Sequence, residues 1–345
     1  MSWLGLCDFH IKTFSAGGLD RLARPENPER SLPAALDRGT LLFEVPCPKT
    51  GPIDALGYET NDRSMALHVR VEPNGTALLD LTLDGNRAVL AARASRVPVQ
   101  APLRIAMSWD LSRGVLQLAV TATGLPETCR VADGECSAAL PLGALRAMVL
   151  ARPSVRWHPT TIYAAVSDHI DPQGLPAGLT AGTPVDTAAG PRPIETLRPG
   201  AMVMTEYNGA QPLRWIGQRI VPARGAFTPV RLRAPFLGLR RDLTVAGTQR
   251  VVIDGSDVEY LFGTHEILAE ARHLLGGPMA AAETSQAFVR LVIPVFEGDE
   301  ILRLAGCRAQ SESMTGTAMD TRRRHLAAYE AAALCSALSA TAVSR

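Results

Sequence analysis

The chain has 345 residues, a length that suits two domains of ordinary size better than one. Hydrophobic residues make up 46%, and 35 basic residues nearly balance 34 acidic ones, which leaves a formal charge of +1. This composition excludes an intrinsically disordered chain. A near-neutral chain also gives no electrostatic footprint for nucleic acid or for an anionic membrane surface, so neither is expected as a partner.

The first residues, MSWLGLCDFHIKTF, show neither the apolar run nor the small-residue cleavage site of a Sec signal peptide. No stretch reaches the roughly 18 consecutive apolar residues of a transmembrane helix. We therefore expect no membrane insertion, and a location that is either cytoplasmic or reached by a signal-less export route.

Residues 1–30 predict an extended or loop-rich start, because Gly17-Gly18, Pro25 and Pro28 interrupt every periodicity. From Gly39 onward the pattern changes to short runs rich in Val, Leu and Ile. The strands predicted from these runs are residues 40–45, 65–71, 77–83, 88–92, 103–109, 115–121 and 161–166.

The connections between these strands carry the residues that tight hairpins need. Residues 73–75 (PNG), 84–86 (DGN) and 112–114 (SRG) each supply positions that tolerate a positive φ. Regularly spaced antiparallel strands with such turns predict a β-sandwich over residues 1–168.

One predicted hairpin carries a candidate binding site. Residues 103–110 read LRIAMSWD, and residues 115–118 read VLQL. This pair resembles the central hairpin of concanavalin A/laminin-G-like lectin domains, in which a strand carrying W-D enters the turn. The resemblance implies a polysaccharide or protein partner, with Trp109 and Asp110 as candidate ligand-binding residues. The alternative is that Trp109 fills the sandwich core.

The second half begins after residues 169–177 (HIDPQGLPA), where Pro and Gly predict a linker. Short apolar runs then alternate with Gly/Pro punctuation and predict hairpins around a one-turn helix within residues 194–200. The motifs TAGT at 180–183 and GPRPIETLRPG at 190–200 resemble the opening of a Hint (Hedgehog/intein) domain. The resemblance covers residues 178–313. This region is similar to the Hint proteins common in marine alphaproteobacteria, some of which carry a lectin-like domain in front of the Hint domain.

This chain lacks the residues that carry out the family's self-processing chemistry. In the active family a Cys opens the domain and attacks the preceding carbonyl, and a His in a T-x-x-H block assists. The Cys position falls on Gly178, and the block falls on residues 246–249 (AGTQ), with Gln249 at the His position. A thiolate nucleophile needs sulfur and an activating base, and these two residues supply neither. Arg290 and residues 297–300 (EGDE) likewise stand where later family histidines are expected, so we predict no catalytic residues.

The remaining histidines and cysteines indicate no cofactor and no metal. His265 and His273 are eight residues apart, and the resemblance makes residues 266–268 a strand and 271–274 a turn, so we interpret His273 as structural. The six cysteines lack C-x-x-C pairs and histidine partners at zinc spacing. Cys129 and Cys136 are either buried thiols or a small disulfide loop.

The C-terminal residues predict a polar spacer at 314–321 and a helix at 322–338, on which Leu326, Tyr329, Ala333 and Leu334 share one face. The predicted fold is mainly β. Its four parts are a lectin-like β-sandwich at 1–168, a linker at 169–177, a degenerate Hint domain at 178–313, and the spacer and helix at 314–345.

Three hypotheses for function follow from these patterns. The first, which we favour, is a non-catalytic binding or scaffold module whose N-terminal domain binds a glycan. The second is a self-cleaving Hint protein with Thr180 or Thr183 as a substituted nucleophile. The third is a structural component of a surface or particle assembly. The absence of both the nucleophile and the base from an otherwise well-kept domain favours the first.

Overall fold

The computed structural model describes residues 2–19, 34–95, 97, 101–123, 125, 128–314 and 323–343. The chain divides into two compact units, Met1–Gly174 and Leu175–Arg345. Strands account for 49% of the structure and helices for 14%, which confirms the mainly β prediction.

The first unit is a β-sandwich. Its larger sheet has seven strands in the order β11-β10-β9-β4-β14-β1-β2, and the facing sheet has five in the order β13-β5-β6-β7-β8. The elements are β1 Trp3–Asp8, β2 Lys12–Phe14, β3 Ala35–Leu36, β4 Arg38–Pro46, β5 Ile53–Glu59, β6 Met65–Val71, β7 Thr76–Leu83, β8 Asn86–Arg93, β9 Pro102–Asp110, β10 Val115–Ala122, β11 Arg130–Glu135, β12 Leu140–Pro141, α1 Leu142–Val149, β13 Val155–Trp157 and β14 Tyr163–Ser167.

Alternation along the strands builds the core of this sandwich. On β4, Leu41, Phe43 and Val45 point into the core between the sheets, and they are fully buried. The predicted strands of the first unit recur within two residues of their expected bounds. The turn prediction holds as well, since Asp84 and Gly85 adopt φ values of 49° and 82° at the β7–β8 hairpin.

The first residues follow the extended alternative of the prediction for residues 1–30. Trp3–Asp8 forms β1 and pairs with β14 on one side and β2 on the other. Trp3, Leu4 and Leu6 are at most 2% exposed. Because both faces of this strand are buried, its sequence shows none of the polar–apolar alternation by which a half-exposed strand is recognised.

The second unit is built from three sheets. Their orders are β20-β26-β15-β22-β21-β25 with β29 beside β26, then β17-β16-β18-β19, then β27-β28-β23-β24-β30. The elements are β15 Leu179–Thr180, β16 Pro184–Thr187, β17 Gly190–Pro193, β18 Met202–Met204, β19 Ala210–Pro212, β20 Trp215–Pro222, β21 Val230–Leu232, β22 Leu243–Val245, β23 Arg250–Asp254, α2 Ser256–Phe262, β24 Glu266–Glu270, β25 Ala280–Ala282, β26 Phe288–Phe296, β27 Ile301–Leu304, β28 Cys307–Gln310, β29 Glu312–Ser313, β30 Arg324–His325 and α3 Ala328–Val343.

The predicted helical turn near the start of this unit is a single 3₁₀ turn at Ile194–Thr196. Ile194 and Leu197 are buried at its two ends, and Gly200 takes a φ of 89° just before β18. The apolar pair anchors the turn in the core, and the glycine lets the chain enter the next strand.

The C-terminal helix begins six residues later than predicted, at Ala328 instead of 322. Arg324–His325 pairs in parallel with β24 as β30, which removes these residues from any helix. The Glu330 carboxylate then accepts a hydrogen bond of 2.9 Å from the Ala327 N–H, which caps the first turn. Residues 315–322, which include most of the predicted spacer, lie outside the described part of the chain.

The buried face of α3 also differs from the predicted one. Ala331, Leu334 and Cys335 pack into the core of the second unit, whereas Tyr329 is 77% exposed. Leu326 is buried ahead of the helix, where its N–H donates to the Leu268 carbonyl over 2.8 Å. Shifting the start of the helix changes which side chains share its inner face.

Among the helices of the described residues, none is long and apolar enough to cross a membrane.

Candidate functional site

The residue that opens the second unit is tightly enclosed. Gly178 is buried next to β15, whose Leu179 pairs with Val292 of β26 and with Val245 of β22. A Cβ added at Gly178 would lie 3.2 Å from the Val292 carbonyl oxygen and 3.3 Å from the Leu291 Cβ. Even the first atom of a side chain would press on the β26 backbone at this position.

The block at residues 246–249 lies against the same stretch of chain. The Ala246 N–H donates to the Gly178 carbonyl over 2.9 Å. The Thr248 hydroxyl donates to the Pro176 carbonyl over 2.7 Å. These two bonds bracket the peptide bond between Ala177 and Gly178, so the fold brings together the two segments that the resemblance pairs.

Gln249 has a structural role at the end of this block. Its side chain is 3% exposed, and its Nε2 donates to the carbonyls of Gln310 at 2.7 Å and Arg250 at 3.1 Å. The amide therefore ties the start of β23 to the end of β28. A neutral amide neither gains nor loses a proton near pH 7, so Gln249 supplies no acid or base.

The two threonines considered as substitute nucleophiles bond to no activating base among the described residues. The Thr180 hydroxyl donates to the Thr244 carbonyl over 2.7 Å and is held in the sheet. The Thr183 hydroxyl is buried, without a hydrogen-bond partner among the described residues. Within the described ranges, neither hydroxyl bonds to a His, Asp or Glu side chain, which a threonine nucleophile would need.

The two later positions at which the family is expected to have histidines, residue 290 and residues 297–300, also carry other residue types. Arg290 lies exposed on β26 opposite Ile220, and its carbonyl accepts the Ala181 N–H over 3.3 Å. In the turn after β26, Glu297 pairs with Arg214. Glu300 is buried and accepts a bond of 2.9 Å from the Asn208 amide. These groups hold the turn in place and offer no imidazole.

A partly buried ionisable cluster lies behind the 246–249 block. The Arg272 N–H donates to the Gly247 carbonyl over 2.8 Å, and the Ala271 N–H donates to the Gln249 carbonyl over 2.9 Å. The His273 Nε2 lies 3.9 Å from the Glu270 carboxylate, and its Nδ1 is buried without a hydrogen-bond partner in the described ranges. Burial lowers the pKa of His273, the Arg272 charge adds to this effect, and the Glu270 carboxylate acts in the opposite direction.

The lowered pKa of His273 predicts a loss of stability in mild acid. In the unfolded chain a histidine titrates near pH 6.5, above the pKa of the folded site. The unfolded state therefore takes up the proton first, and the free energy of unfolding falls as the pH drops below about 6.5. We expect the urea midpoint of the second unit to decrease between about pH 7.5 and 5.5, and to decrease less in His273→Gln. Equal decreases in both proteins would contradict this assignment.

The structure places Trp109 in the core of the first unit. Its ring is fully buried, its Nε1–H donates to the Leu36 carbonyl over 2.9 Å, and a Cβ at Gly39 would come within 2.5 Å of it. A sugar can stack only on an exposed ring face, so the core alternative describes the position of Trp109. Asp110 is partly exposed and accepts a bond of 2.6 Å from the Ser112 hydroxyl, which lowers the pKa of Asp110.

The six cysteines are free thiols in this structure. Cys129 is partly exposed, and the other five are buried. Burial raises the pKa of Cys307 to about 12. In the described ranges, no group of three or more His, Cys, Asp or Glu side chains is arranged to hold a metal ion.

A cleft of about 370 Å³ lies at one edge of the sandwich, between the edge strands β8 and β11. The strands approach each other at Gly134, where a Cβ would come within 2.7 Å of the Leu90 Cδ2. The cleft has a leucine floor, of which every member is at most 7% exposed: Leu81, Leu83, Leu90, Leu116 and Leu140. The exposed polar residues that border it are Asn86, Arg87, Asp133, Glu135 and Ser137. The Asp133 side chain accepts a hydrogen bond of 2.8 Å from the Gln117 amide on the face of the sheet opposite to Leu116.

The sequence analysis missed this cleft. Asn86 and Glu135 are 49 residues apart in the chain and come from different sheets. The signal of the cleft that the sequence offered was the alternation of acidic residues in residues 131–136 (VADGEC). By itself this alternation indicates only a half-exposed strand. Cys136 also lines the cleft. Burial raises the pKa of the Cys136 thiol and the nearby Asp110 carboxylate raises it further, so Asp110 lies close to the cleft.

Comparison with known proteins bears on the second unit. Residues 177–318 match the family model of the Hint domain. None of the curated proteins compared with the chain matches it. The C-terminal unit is thus of Hint type by its sequence match, and its arrangement around Gly178 is the one described above.

Two solved structures match parts of this chain. The bacterial intein-like domain from Clostridium thermocellum is 13% identical, and the match covers 40% of this chain and 100% of that domain with a TM-score of 0.30. The CBM40 of the Ruminococcus gnavus IT-sialidase, bound to α2,3 sialyllactose, is 12% identical. That match covers 50% of this chain and 89% of the module, with a TM-score of 0.29.

Proposed function

We propose that this protein is a non-catalytic binding or scaffold module, in which a Hint-type unit that does not cleave itself follows a β-sandwich that binds a glycan. The absence of self-cleavage rests on the residues that stand at positions 178 and 249. Gly178 has no side chain and is tightly enclosed, and Gln249 is occupied in joining β23 to β28.

The alternative of a substituted nucleophile has weaker support. Thr180 is the nearer candidate, and its hydroxyl donates to the Thr244 carbonyl instead of pointing freely at residue 177. Attack would require that bond to break without any neighbouring base to take the hydroxyl proton. The retained backbone geometry therefore serves as a frame for the unit, and the processing step has been lost.

We propose that residues 169–177 form the linker between the two domains. Its first part packs back on the sandwich, because the Thr40 hydroxyl donates to the His169 carbonyl over 2.9 Å. The Arg104 guanidinium likewise donates to the Gly174 carbonyl over 3.3 Å. The proposed N-terminal binding domain spans 1–168, and the Hint-type domain spans 178–313 with the 314–345 segment following it.

Expression with a different affinity tag at each end tests the absence of processing. We expect both tags on one polypeptide after purification by either tag, and no tagged fragment at any time point. Two singly tagged fragments that meet between residues 177 and 178 would overturn this part of the proposal.

Glycan binding rests on the sandwich architecture and on the cleft at its edge. A glycan array probed with the full-length protein is the direct test, and we expect retention on a subset of immobilised saccharides. An array without any signal would leave a scaffold or assembly component as the function of the first unit.

A further inference from the structure

We infer that the outer face of the five-stranded sheet binds a saccharide that bears a carboxylate, and that Arg156 and His68 hold this carboxylate above Gly57. The inference rests on the proposed glycan-binding function and adds a position and a ligand class to it. It uses neither the floor of the cleft nor the residues of the lectin-like hairpin.

One row of residues crosses the outer face of this sheet in register. From β13 to β8 its members are Arg156, Gly57, His68, Asp80 and Val89. Their neighbours along the strands belong to the core, as do Tyr58, Leu67 and Leu81. Successive residues of a strand face opposite sides of the sheet, so the row faces outward. In agreement, Arg156, His68 and Val89 are exposed.

Gly57 leaves an open position between Arg156 and His68. A Cβ at Gly57 would lie 3.5 Å from the Arg156 Nε, 3.6 Å from the Arg156 Nη2 and 3.5 Å from the His68 Nδ1. Nε and Nη2 form an edge of the guanidinium that can bind both oxygens of one carboxylate. Arg87 shows this geometry in the same sheet, because its Nε and Nη2 donate to the two Asp80 oxygens over 2.9 and 2.7 Å.

The charge of Arg156 is not matched by a carboxylate. Three acidic side chains of this sheet each lie beside another arginine, at 3.1, 3.6 and 2.7 Å: Asp54 beside Arg70, Glu59 beside Arg63, and Asp80 beside Arg87. In the described part of the chain, neither the Arg156 nor the His68 side chain forms a hydrogen bond or an ion pair. A carboxylate above Gly57 would give both groups a partner, and added salt should weaken its binding.

The surroundings of this position suit a saccharide. Ala66 and Ala91 lie on the same face of the sheet, and their short side chains let a sugar ring approach the strands. Asp80 is two strands from Gly57, which is about 10 Å and within the length of a disaccharide. A carboxylate has about four acceptor sites, so Asp80 can accept sugar hydroxyl groups in addition to Arg87.

The test is titration calorimetry of the full-length protein with tetragalacturonic acid, tetramannuronic acid and 3′-sialyllactose, each beside its methyl ester, and with a sulfated carrageenan tetrasaccharide. We expect at least one of the three acids to bind. Its ester keeps the hydroxyl groups but lacks the charge, so it should bind about tenfold more weakly or not at all.

Two variants test the position above Gly57. Arg156→Gln should weaken binding of the acid by about tenfold or more. Gly57→Ala should have a similar effect with both donor side chains in place, because its Cβ would occupy the position of the carboxylate. The contacts of this Cβ, at 3.5 and 3.6 Å, are ordinary van der Waals distances, so we expect an unchanged urea midpoint.

Arg93→Gln is the matched control. Arg93 is exposed on β8 at the opposite edge of the sheet, and its Nε donates to the Asn74 carbonyl over 3.3 Å. The substitution removes the same charge as Arg156→Gln, and we expect it to leave binding of the acid unchanged. An equal loss of affinity in Arg93→Gln and Arg156→Gln would show that only the net charge matters and would contradict the site.

The other failures are distinguishable. Binding of the acid that survives either Arg156→Gln or Gly57→Ala would place the site elsewhere. Equal binding of an acid and its ester, or tighter binding of the sulfated tetrasaccharide, would overturn the ligand class and leave the glycan-binding function standing. Absence of binding to all three acids would refute this inference alone if the array retains other saccharides, and both proposals if the array is blank.

Discussion

Purified full-length protein is expected to remain a single species of 36.8 kDa in the presence of hydroxylamine or excess thiol. Either reagent would trap a thioester or an ester formed between residues 177 and 178. Such an intermediate needs a side-chain nucleophile at 178, and glycine has none. Loss of a catalytic nucleophile in another enzyme costs on the order of a million-fold in rate. Intact mass measured over several days checks the expectation.

The Thr180 hydroxyl does not replace the missing nucleophile at position 178. Thr180 lies two residues along a strand, so its side chain is displaced by about 7 Å from that of residue 178. Its hydrogen bond to the Thr244 carbonyl holds it in the sheet. Hydroxylamine-dependent fragments that meet between residues 177 and 178 would show that a substitute nucleophile works.

The matched control is the double variant Gly178→Cys, Gln249→His, which restores the thiol and the imidazole together. It is expected to cleave faster than either single variant, because a thiolate and a base act as one unit. The Cβ contacts of 3.2 and 3.3 Å at Gly178 require β26 to move by a few tenths of an ångström. Restored cleavage would therefore remain below that of an intact family site.

Replacing Trp109 with alanine is expected to unfold the first unit or bring it close to unfolding. The side chain is fully buried, and large-to-small substitution of a core aromatic residue costs about 3 to 5 kcal/mol. The variant also leaves the Leu36 carbonyl without its indole donor. Domains of this kind have about 5 to 15 kcal/mol of stability in total. Urea unfolding followed by near-UV circular dichroism measures the loss.

The chain offers a matched control for this prediction. Trp215 is 55% exposed and belongs to the second unit, so Trp215→Ala should change the free energy of unfolding by only a few tenths of a kcal/mol. Trp109→Phe should lie between, because it keeps most of the buried area and loses the hydrogen bond. A Trp109→Ala protein of unchanged stability that fails to bind saccharide would return Trp109 to the ligand site.

Local sequence was sufficient for the hairpins. The Asp84-Gly85 turn was predictable because few residues other than Gly, Asn and Asp tolerate its backbone, and both φ values are positive. The strands flanking it were predictable because alternate residues on them face the core. The Hint-type unit was recognisable from GPRPIETLRPG, since a turn bounded by glycines and anchored by two buried apolar residues constrains the residue types within it.

Tertiary structure decided what local patterns leave open. Alternation shows that Trp109 shares a face with Met107, but it does not say which face of the sheet is covered. The start of α3 depended on strand pairing between residues 324–325 and β24. The role of Gln249 depended on the carbonyl of Gln310, 61 residues away.

The sequence by itself therefore determined the mainly β fold class and the position of the seven predicted strands of the first unit, because these depend on which residue types stand next to one another. Only the tertiary structure decided that Trp109 is buried and that Asn86 and Gly134, which come from different sheets, line one cleft. Those facts depend on how two sheets stack and on where their edges separate. Contacts between residues distant in the chain are set by the packing of whole elements, which no local pattern records.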